Sequence, residues 1–509
     1  MQTLAKHGCR FLRYIFPSLP VLSRSSLQVK PETLIPTAAA LESVHPCLLA
    51  AIYAITEPFR RYDPVLCVTQ ASTKFPTAEL WQLSYRGILR EIHTSQLYVL
   101  QAILIYIQRP LDDITTATAD NPGDWQLLGS AVNIAKHLGL HLDCIEWPIP
   151  VAEKRLRRRL WWILFSESIF RSILRGLPRL INADDCDISP LSETDFRIDC
   201  QASSSEEHMA RHMPVVPGPC PFCYLGCDFK YLASLSVIVY DVYQALYTPS
   251  ATRTLGNDFS ACRRAVEPLL ERLKEWRSFL PPEISAGHSG YVDRRSYFHS
   301  ASAAHLKLAV LTLEVLIHRV LMHPLEVLAD SDVDGSHQEH AGNGAPYIFN
   351  FGNATPQEDI PDVAESLQGS IKLAKRALEF TQGLCSYDRN SFAYSCKPTH
   401  LCPLSNPANS PDTLSFCLGA SACFATISNF VLFLLVRAPS FDAAGEVLKI
   451  LTRWIFILRE QSVTFTFIRL GLLRLDTVLW AGLENSFRFP AHVKRALQNE
   501  PLSRPPMSS

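Results

Sequence analysis

One group of histidine and cysteine residues has the residue types of a metal site. Its members lie within twenty residues of one another and are His208, His212, Cys220, Cys223 and Cys227. Tetrahedral zinc needs four such ligands, supplied by closely spaced pairs. The same stretch contains four prolines, which favours an inserted surface loop over a metal site: Pro214, Pro217, Pro219 and Pro221. We therefore predict no metal ligands and no cofactor in this stretch.

No arrangement of residues in the sequence matches a known catalytic motif. There is no G-x-S-x-G nucleophile turn, no phosphate-binding glycine loop, no dinucleotide-binding fingerprint and no H-E-x-x-H pair. His137 and His141 lie on either side of Gly139, where they are interpreted as capping or packing groups. We predict that the protein is not an enzyme. The alternative is an all-helical small-molecule-binding protein, or an enzyme without a recognisable motif.

A basic run extends from Lys154 to Arg159, with five cationic side chains in six positions. Such runs can serve nuclear import or phosphate contact. This run continues directly into Leu160, Trp161 and Trp162, so it belongs to an amphipathic helix whose charged side faces solvent. We therefore predict a structural role in which arginines pair with an acidic loop. The residues concerned are Arg157, Arg158 and Arg159 on the helix and Asp184, Asp185 and Asp187 in the loop.

Tryptophans are dense in this part of the chain, at positions 125, 147, 161 and 162. Large aromatic side chains most often serve as core anchors, because each of them buries a large apolar area. We predict that role for Trp161 and Trp162. The alternative is a pocket for a small-molecule effector beside these rings.

The stretch from Leu414 to Val436 has no charged residue over its 23 positions, which is long enough to cross a bilayer. It contains several polar residues, and its flanks have neither an aromatic belt nor a positive-side bias. A buried helix of a large helical core is therefore predicted here, and no membrane partner. A membrane-associated protein that uses this segment is a further alternative.

Composition is that of a globular protein with no overall affinity for polyanions. Among 509 residues, 47% are hydrophobic and 19% are charged, and the net charge is −1. A protein that holds DNA by itself is expected to have a basic face, which this balance does not provide. Most of the 15 cysteines stand alone in apolar stretches, as buried thiols do in a reducing compartment.

Helical periodicity organises residues 121–191 as a hairpin of two helices, with apolar residues at three- and four-residue steps. Gly139 is placed to end the first helix, and Gly176 with Pro178 ends the second. Residues 78–108 keep the same period, with Tyr85 and Leu89 in the apolar stripe. They predict one long helix or a pair of helices.

No alternating strand pattern or internal repeat is present, so the predicted fold class is all-α. The first forty residues are rich in proline and serine, which predicts short extended or turn pieces. The predicted organisation is a lead-in (1–40), a large multi-helix domain (41–330) that contains the hairpin 121–191, a linker (331–362), and a C-terminal helical part of the same domain (363–500) with an insertion (386–412).

Four submotifs follow one another within the hairpin: Leu138-Gly139-Leu140-His141, the run RRRLWW over 157–162, Gly176-Leu177-Pro178, and DDCDI over 184–188. Together they resemble the fungal-specific transcription factor domain, the middle homology region of zinc binuclear cluster regulators. Two departures from the family pattern stand out: Ser168-Ile169 replaces the usual Asp-Arg pair, and Leu177 replaces an arginine.

Further segments resemble one branch of that family, the co-activators of nitrogen-catabolic genes of the allophanate and GABA pathways. They are Tyr14–Arg24, His45–Ile55 and Arg469–Leu483. The resemblance covers most of the chain, with gaps near 200–228, 330–362 and 386–412. It implies an all-α regulatory domain of a nuclear protein that acts in RNA polymerase II transcription as a co-activator or a modulator. Other zinc cluster regulators are the implied partners, and DNA is contacted indirectly.

The zinc cluster of these regulators needs six cysteines in two Cys-x2-Cys-x6-Cys halves, whereas this sequence has one Cys-x2-Cys, formed by Cys220 and Cys223. Tyr14 to Pro17 resembles the beginning of the regulatory domain with 13 residues ahead of it. An upstream exon that encodes a cluster is therefore one alternative, and zinc is expected only with such a segment. Residues 386–412 are either a retained intron or a true insertion.

The resemblance also implies that the protein acts by binding partner proteins. Helical folds of this size often leave an apolar groove for a partner helix. A rim of charges tunes the specificity of such a surface more than its affinity. We expect that rim to consist of the three arginines 157–159 and the three aspartates at 184, 185 and 187.

Overall fold

In the computed structural model, the described residues form helices joined by turns, with no strand among them. One isolated bridge, between Leu142 and Asp187, is the exception to purely helical pairing. The all-α prediction is confirmed. The described residues are 2–29, 34–62, 77–109, 122–197, 226–256, 258–281, 284, 296–324, 360–384, 419–487, 489–499 and 502.

Five helices make up the first part of the fold: α1 (Gln2–Arg10), α2 (Ala38–Glu42), α3 (Pro46–Thr56), α4 (Thr77–Glu91) and α5 (Leu97–Tyr106). α3 packs against both α4 and α5. The pattern over 78–108 thus corresponds to a pair of helices, the second of the two predicted forms.

The prediction of extended or turn pieces at the start of the chain is wrong for residues 2–15. α1 continues into a π-helical turn, Phe11–Ile15, and Phe11, Leu12 and Phe16 are fully buried. Prolines 17 and 20 end this helical segment, and they obscured its apolar periodicity in the sequence. The segment therefore contributes to the hydrophobic core.

The hairpin and its neighbours follow: α6 (Pro122–His137), α7 (Val151–Arg175), α8 (Phe229–Val242), α9 (Pro249–Leu255) and α10 (Phe259–Ser278). Gly139, just beyond α6, has φ of 71°, and Gly176 caps α7 with φ of 66°. Both predicted helix ends are confirmed. Glycine adopts this left-handed conformation without the steric cost that a Cβ brings.

The last part of the described chain contains α11 (Ser296–Met322), α12 (Ile360–Gln382), α13 (Ala420–Val436), α14 (Phe441–Ser462), α15 (Arg469–Ala481), α16 (Leu483–Ser486) and α17 (Ala491–Asn499). α13 packs against α11, α14, α15 and α7. It falls within the charge-free stretch 414–436, and most of its side chains are buried. The buried-helix prediction is confirmed for this helix.

None of the helices in the described ranges has the length and apolar character that a bilayer crossing requires. One continuous hydrophobic cluster extends from Phe11 to Ala496. The linker predicted at 331–362 lies almost wholly outside the described residues, as does the whole insertion 386–412.

Candidate functional site

Arg159 of α7 is buried and joins three parts of the fold. Its side chain is only 5% exposed. Nε donates to the carbonyl oxygen of Pro20 at 3.0 Å, one terminal nitrogen donates to Leu22 O at 2.9 Å, and the other donates to Asp195 O. A guanidinium has five N–H donors in a rigid planar fork, so one side chain can satisfy several backbone acceptors. Arg159 thus ties the N-terminal segment to α7 and to the turn near residue 195.

Asp195 is a buried carboxylate in that turn, a 3-10 helix over Glu193–Phe196. One carboxylate oxygen accepts from Arg158 at 2.7 Å, and the other accepts from the backbone N–H of Ser192 at 2.8 Å. The predictions made from sequence omitted this residue. The spacing Ser192-x-x-Asp195 is a capping-box signature and could have indicated the turn. A carboxylate without solvent exposure requires such partners.

Arg157 and Arg158 also direct their charges into the molecule. Arg157 donates to Glu153 at 2.8 Å and to Leu138 O at 2.9 Å, and it lies over the Trp147 ring at 5.5 Å. Arg158 is within 3.7 Å of Asp143 in addition to its bond with Asp195. We call Arg157, Arg158, Arg159 and Asp195 the arginine latch.

The predicted pairing of these arginines with the acidic loop is wrong. Asp184, Asp185 and Asp187 are exposed. In the described part of the chain, Arg157 pairs with Glu153, and Arg158 pairs with Asp143 and Asp195. The physical reason is that α7 is covered on most of its circumference. Its arginines therefore lie beside loop carbonyls and a buried carboxylate, which need donors more than the exposed aspartates do.

The acidic loop is nevertheless fixed against the hairpin. The backbone N–H of Asp187 donates to His141 O at 2.9 Å. Asp143 accepts from the backbone N–H of Ser189 at 3.0 Å and from its hydroxyl, and Trp162 Nε1 donates to Ser189 O at 3.0 Å. Burial works to raise the pKa of Asp143. The hydrogen bonds from Ser189 and from the Ile145 N–H, together with the positive charge of Arg158, outweigh that effect, so the pKa of Asp143 lies below its ordinary value.

Three large apolar side chains are exposed in and just after the connection beside this loop: Leu142 at 45%, Ile145 at 49% and Val151 at 56%. The bridge between Leu142 and Asp187 brings the connection and the acidic loop together. We call these three apolar residues and the three aspartates of the loop the hairpin-end surface: Leu142, Ile145, Val151, Asp184, Asp185 and Asp187.

The two adjacent tryptophans differ in environment. Trp161 is 1% exposed and packs in the hydrophobic core, as predicted. Trp162 is partly buried and lies edge-on to Phe165, with ring centroids 5.6 Å apart. A small-molecule effector beside these rings stays a prediction.

Gly176 and Pro178 form the end of α7 that their sequence pattern predicts. The backbone N–H of Gly176 donates to Ser172 O, which also accepts from the N–H of Leu177 at 2.9 Å. The Ser172 hydroxyl donates to Pro178 O at 3.3 Å. Their role here is to terminate the helix and turn the chain.

A second buried polar network crosses α7 about two turns further on, and sequence reasoning missed it. Glu167 accepts from the side-chain amide of Gln108 at 2.6 Å and from Arg171 Nε at 2.8 Å. Arg171 also donates to Ile107 O at 3.1 Å. The i, i+4 spacing of Glu167 and Arg171 was the available signal. This ion pair flanks Ser168-Ile169, where the resemblance led us to expect that a charge pair had been lost.

Four of the five candidate zinc ligands lie outside the described residues: His208, His212, Cys220 and Cys223. Cys227 is buried, and burial raises the pKa of its thiol to about 12. Within the described part of the chain, no three histidine, cysteine, aspartate or glutamate side chains come together as metal ligands.

Residues 10–278 match the family model of the fungal specific transcription factor domain, which is just over half of the chain. The chain belongs to this family. The matched region contains the arginine latch, the hairpin-end surface and the helices α3–α8 around them. The family that the hairpin motifs resemble is thereby confirmed.

The family relatives are transcription regulators of fungi. The transcriptional activator protein DAL81 of Saccharomyces cerevisiae is 24% identical over 61% of this chain and 32% of its own length. A transcriptional regulatory protein of Schizosaccharomyces pombe is 25% identical over 49% of this chain and 33% of its own length. The acetamidase regulatory protein of Aspergillus fumigatus is 36% identical over 17% of this chain and 10% of its own length.

The chain thus spans about a third of the length of the first two relatives. No solved structure matches it significantly. In this chain, the three arginines of the RRRLWW run form internal hydrogen bonds. These bonds join α7 to the N-terminal segment and to the turn at Asp195.

Proposed function

We propose that the chain is the regulatory part of a nuclear transcription regulator that acts through other proteins and contacts DNA indirectly. The observation that carries this proposal is the arginine latch. The most basic run of the sequence directs Arg157, Arg158 and Arg159 at internal oxygens, which leaves them unable to bind phosphates at the surface. The net charge of −1 agrees with this interpretation. The family match supports a regulatory role.

The finer proposal is that this regulator activates pathway-specific genes, including nitrogen-catabolic ones. Two of the relatives carry names that support it: a transcriptional activator and an acetamidase regulatory protein. Other zinc cluster regulators are the proposed partners, because they would supply the DNA contacts. The relatives are regulators, and no catalytic step forms part of the proposal.

The purified chain is expected to give no sequence-selective shift of DNA mobility at any salt concentration. Fused to an unrelated DNA-binding domain, the same chain is expected to raise transcription of a reporter gene that carries the matching site. The unfused chain is the control for the reporter. A salt-sensitive, sequence-selective shift with the isolated protein would contradict indirect DNA contact. A fusion that leaves the reporter unchanged would contradict the regulatory role.

We propose that the hairpin-end surface contacts one of these partners. Exposed apolar side chains beside exposed carboxylates resemble the apolar centre and polar rim of a protein interface. The loop hydrogen bonds that hold this surface also reduce the entropy that binding would otherwise remove. The arginines 157–159 are no longer part of the proposed rim, because they are turned inward.

The triple variant Asp184→Asn, Asp185→Asn, Asp187→Asn is expected to co-purify less of a zinc cluster regulator from fungal nuclei, by about tenfold for a rim of three charges. Quantitative mass spectrometry measures the recovery. The matched control replaces three exposed acids elsewhere: Glu267→Gln, Glu365→Gln and Glu460→Gln. Equal recovery with both triple variants would remove the hairpin-end surface from the proposal.

A further inference from the structure

Helix α4 is held firmly by its buried face. Ser84 and Ile88 have no solvent exposure. A Cβ on Gly87 would lie 2.5 Å from Cβ of Cys47 on α3, so glycine at this position permits the two helices to approach closely. Trp81 contacts Tyr106 of α5 edge-on, with ring centroids 5.8 Å apart. α4 therefore presents its outer face on a fixed frame.

The outer face of α4 combines exposed apolar and basic side chains. Leu83 is 54% exposed and Leu89 is 47% exposed. Arg86 and Arg90 are exposed between them, and the Arg90 side chain is 87% exposed. At 3.6 residues per turn these four positions fall within a band about 120° wide. Tyr85, 38% exposed, extends the band on the side of Leu89.

The outer face of α4 has two exposed leucines on one helix, whereas the other exposed apolar residues are scattered. Its exposure also differs from the prediction made from the sequence pattern. The helical period assigns Leu89 to an internal stripe together with Ile88, yet only Ile88 is buried. The remaining exposed apolar residues are distributed over several elements, including Phe279 at the end of α10 and Phe456 on α14. On α4 alone among the described helices do two exposed leucines flank two exposed arginines.

We propose that this face docks an acidic amphipathic helix of a partner protein, a proposal that rests on the proposed function because it names the class of partner. Arg86 and Arg90 are one turn apart, about 6 Å along the axis, which matches carboxylates at i and i+4 of a second helix. Guanidinium and carboxylate groups can pair through two parallel hydrogen bonds. Leu83, Leu89 and Tyr85 bury the apolar face of that helix, as in other helix-in-groove contacts.

Charge and apolarity together select this occupant. A nucleic acid would meet two exposed leucines where its phosphates need hydrogen-bond donors. A basic helix would be repelled by the two arginines. A second copy of this chain could present the acidic hairpin-end surface instead, so the experiment is designed to separate that occupant from a partner helix.

The probe is a fluorescein-labelled synthetic peptide with leucines at i, i+3, i+4 and i+7 and glutamates along both edges, titrated with the full chain and followed by anisotropy. A peptide with lysines in place of the glutamates is the matched probe. The acidic peptide is expected to bind and to lose affinity with rising salt, because exposed charges are screened. The lysine peptide is expected not to bind.

The charge-reversed variant Arg86→Glu, Arg90→Glu is expected to lose at least tenfold in affinity for the acidic peptide and to gain affinity for the lysine peptide. The variant Leu83→Ser, Leu89→Ser is expected to lose about tenfold in affinity for the acidic peptide and to gain no affinity for the lysine peptide. The matched control, Arg453→Glu with Phe456→Ser, alters another exposed arginine and aromatic residue on α14. It is expected to bind as the unaltered chain does. Circular dichroism checks the folding of all variants.

Equal binding of the acidic peptide by the unaltered chain and the charge-reversed variant would overturn the proposal. Sedimentation velocity tests the second copy: an oligomer that the α4 variants dissociate would overturn it in favour of self-association. Competition of the peptide by duplex DNA through Arg86 and Arg90 would overturn it in favour of a nucleic acid. The reporter experiment is independent of these measurements, so failure of the regulatory role and failure of this docking surface give different results.

Discussion

Arg159→Ala is expected to lower the free energy of unfolding by about 3–5 kcal/mol, because each buried acceptor that loses its donor costs about 1–3 kcal/mol. The substitution leaves the carbonyl oxygens of Pro20, Leu22 and Asp195 without the donor that now serves all three. It also disconnects the N-terminal segment from α7. Urea titration followed by circular dichroism measures the loss.

Two further variants sharpen this result. Arg159→Lys keeps the charge but replaces a planar fork of five donors with a single ammonium, so it is expected to recover only part of the loss. Arg86→Ala removes an exposed arginine from α4 and is expected to change the free energy of unfolding by less than about 0.5 kcal/mol. A loss for Arg159→Ala as small as that for Arg86→Ala would contradict the latch.

Trp161→Ala is expected to lower the free energy of unfolding by about 3–5 kcal/mol, because it removes a large aromatic side chain from a core that cannot fully close around the cavity. Trp161 is 1% exposed. Trp162→Ala is expected to cost about 1–3 kcal/mol, since Trp162 is partly exposed and loses one hydrogen bond to Ser189 O. Chemical denaturation followed by far-ultraviolet circular dichroism is suitable, because it does not depend on tryptophan fluorescence.

Trp480→Ala is the control for that pair, because Trp480 is 47% exposed on α15. Its loss is expected to be the smallest of the three. If Trp162→Ala destabilises the protein as much as Trp161→Ala, the assignment of Trp161 alone to the deep core is wrong.

Because the arginines of the latch are turned inward, a test of partner binding has to substitute other residues. Charge reversal at positions 157–159 would place carboxylates beside Asp195 and internal carbonyls, and it is expected to unfold this region. Loss of a partner in such a variant would therefore report on folding. The exposed residues of the hairpin-end surface and of α4 can be altered without that complication.

The sequence by itself determined the helical class, the hairpin and both glycine-terminated helix ends. These features depend on local properties: apolar residues at helical spacing define a helix and one of its faces, and Gly139 and Gly176 accept the left-handed conformation. The four hairpin submotifs were sufficient to indicate the family, because their residue types and order lie within one continuous stretch. Burial of α13 also followed from its composition.

Only the tertiary structure decided which groups meet. Periodicity puts Arg159 on a helix, but its carbonyl partners at Pro20 and Leu22 lie 139 and 137 positions away along the chain. The exposed aspartates at 184, 185 and 187 are also close in sequence and of opposite charge, yet Arg158 pairs with the buried carboxylate of Asp195 instead. On α4, Ile88 is buried whereas the adjacent Leu89 is exposed, although the helical period assigned both residues to the apolar stripe. A helical period gives each residue a direction around the axis, whereas exposure depends on which neighbouring helices cover that direction.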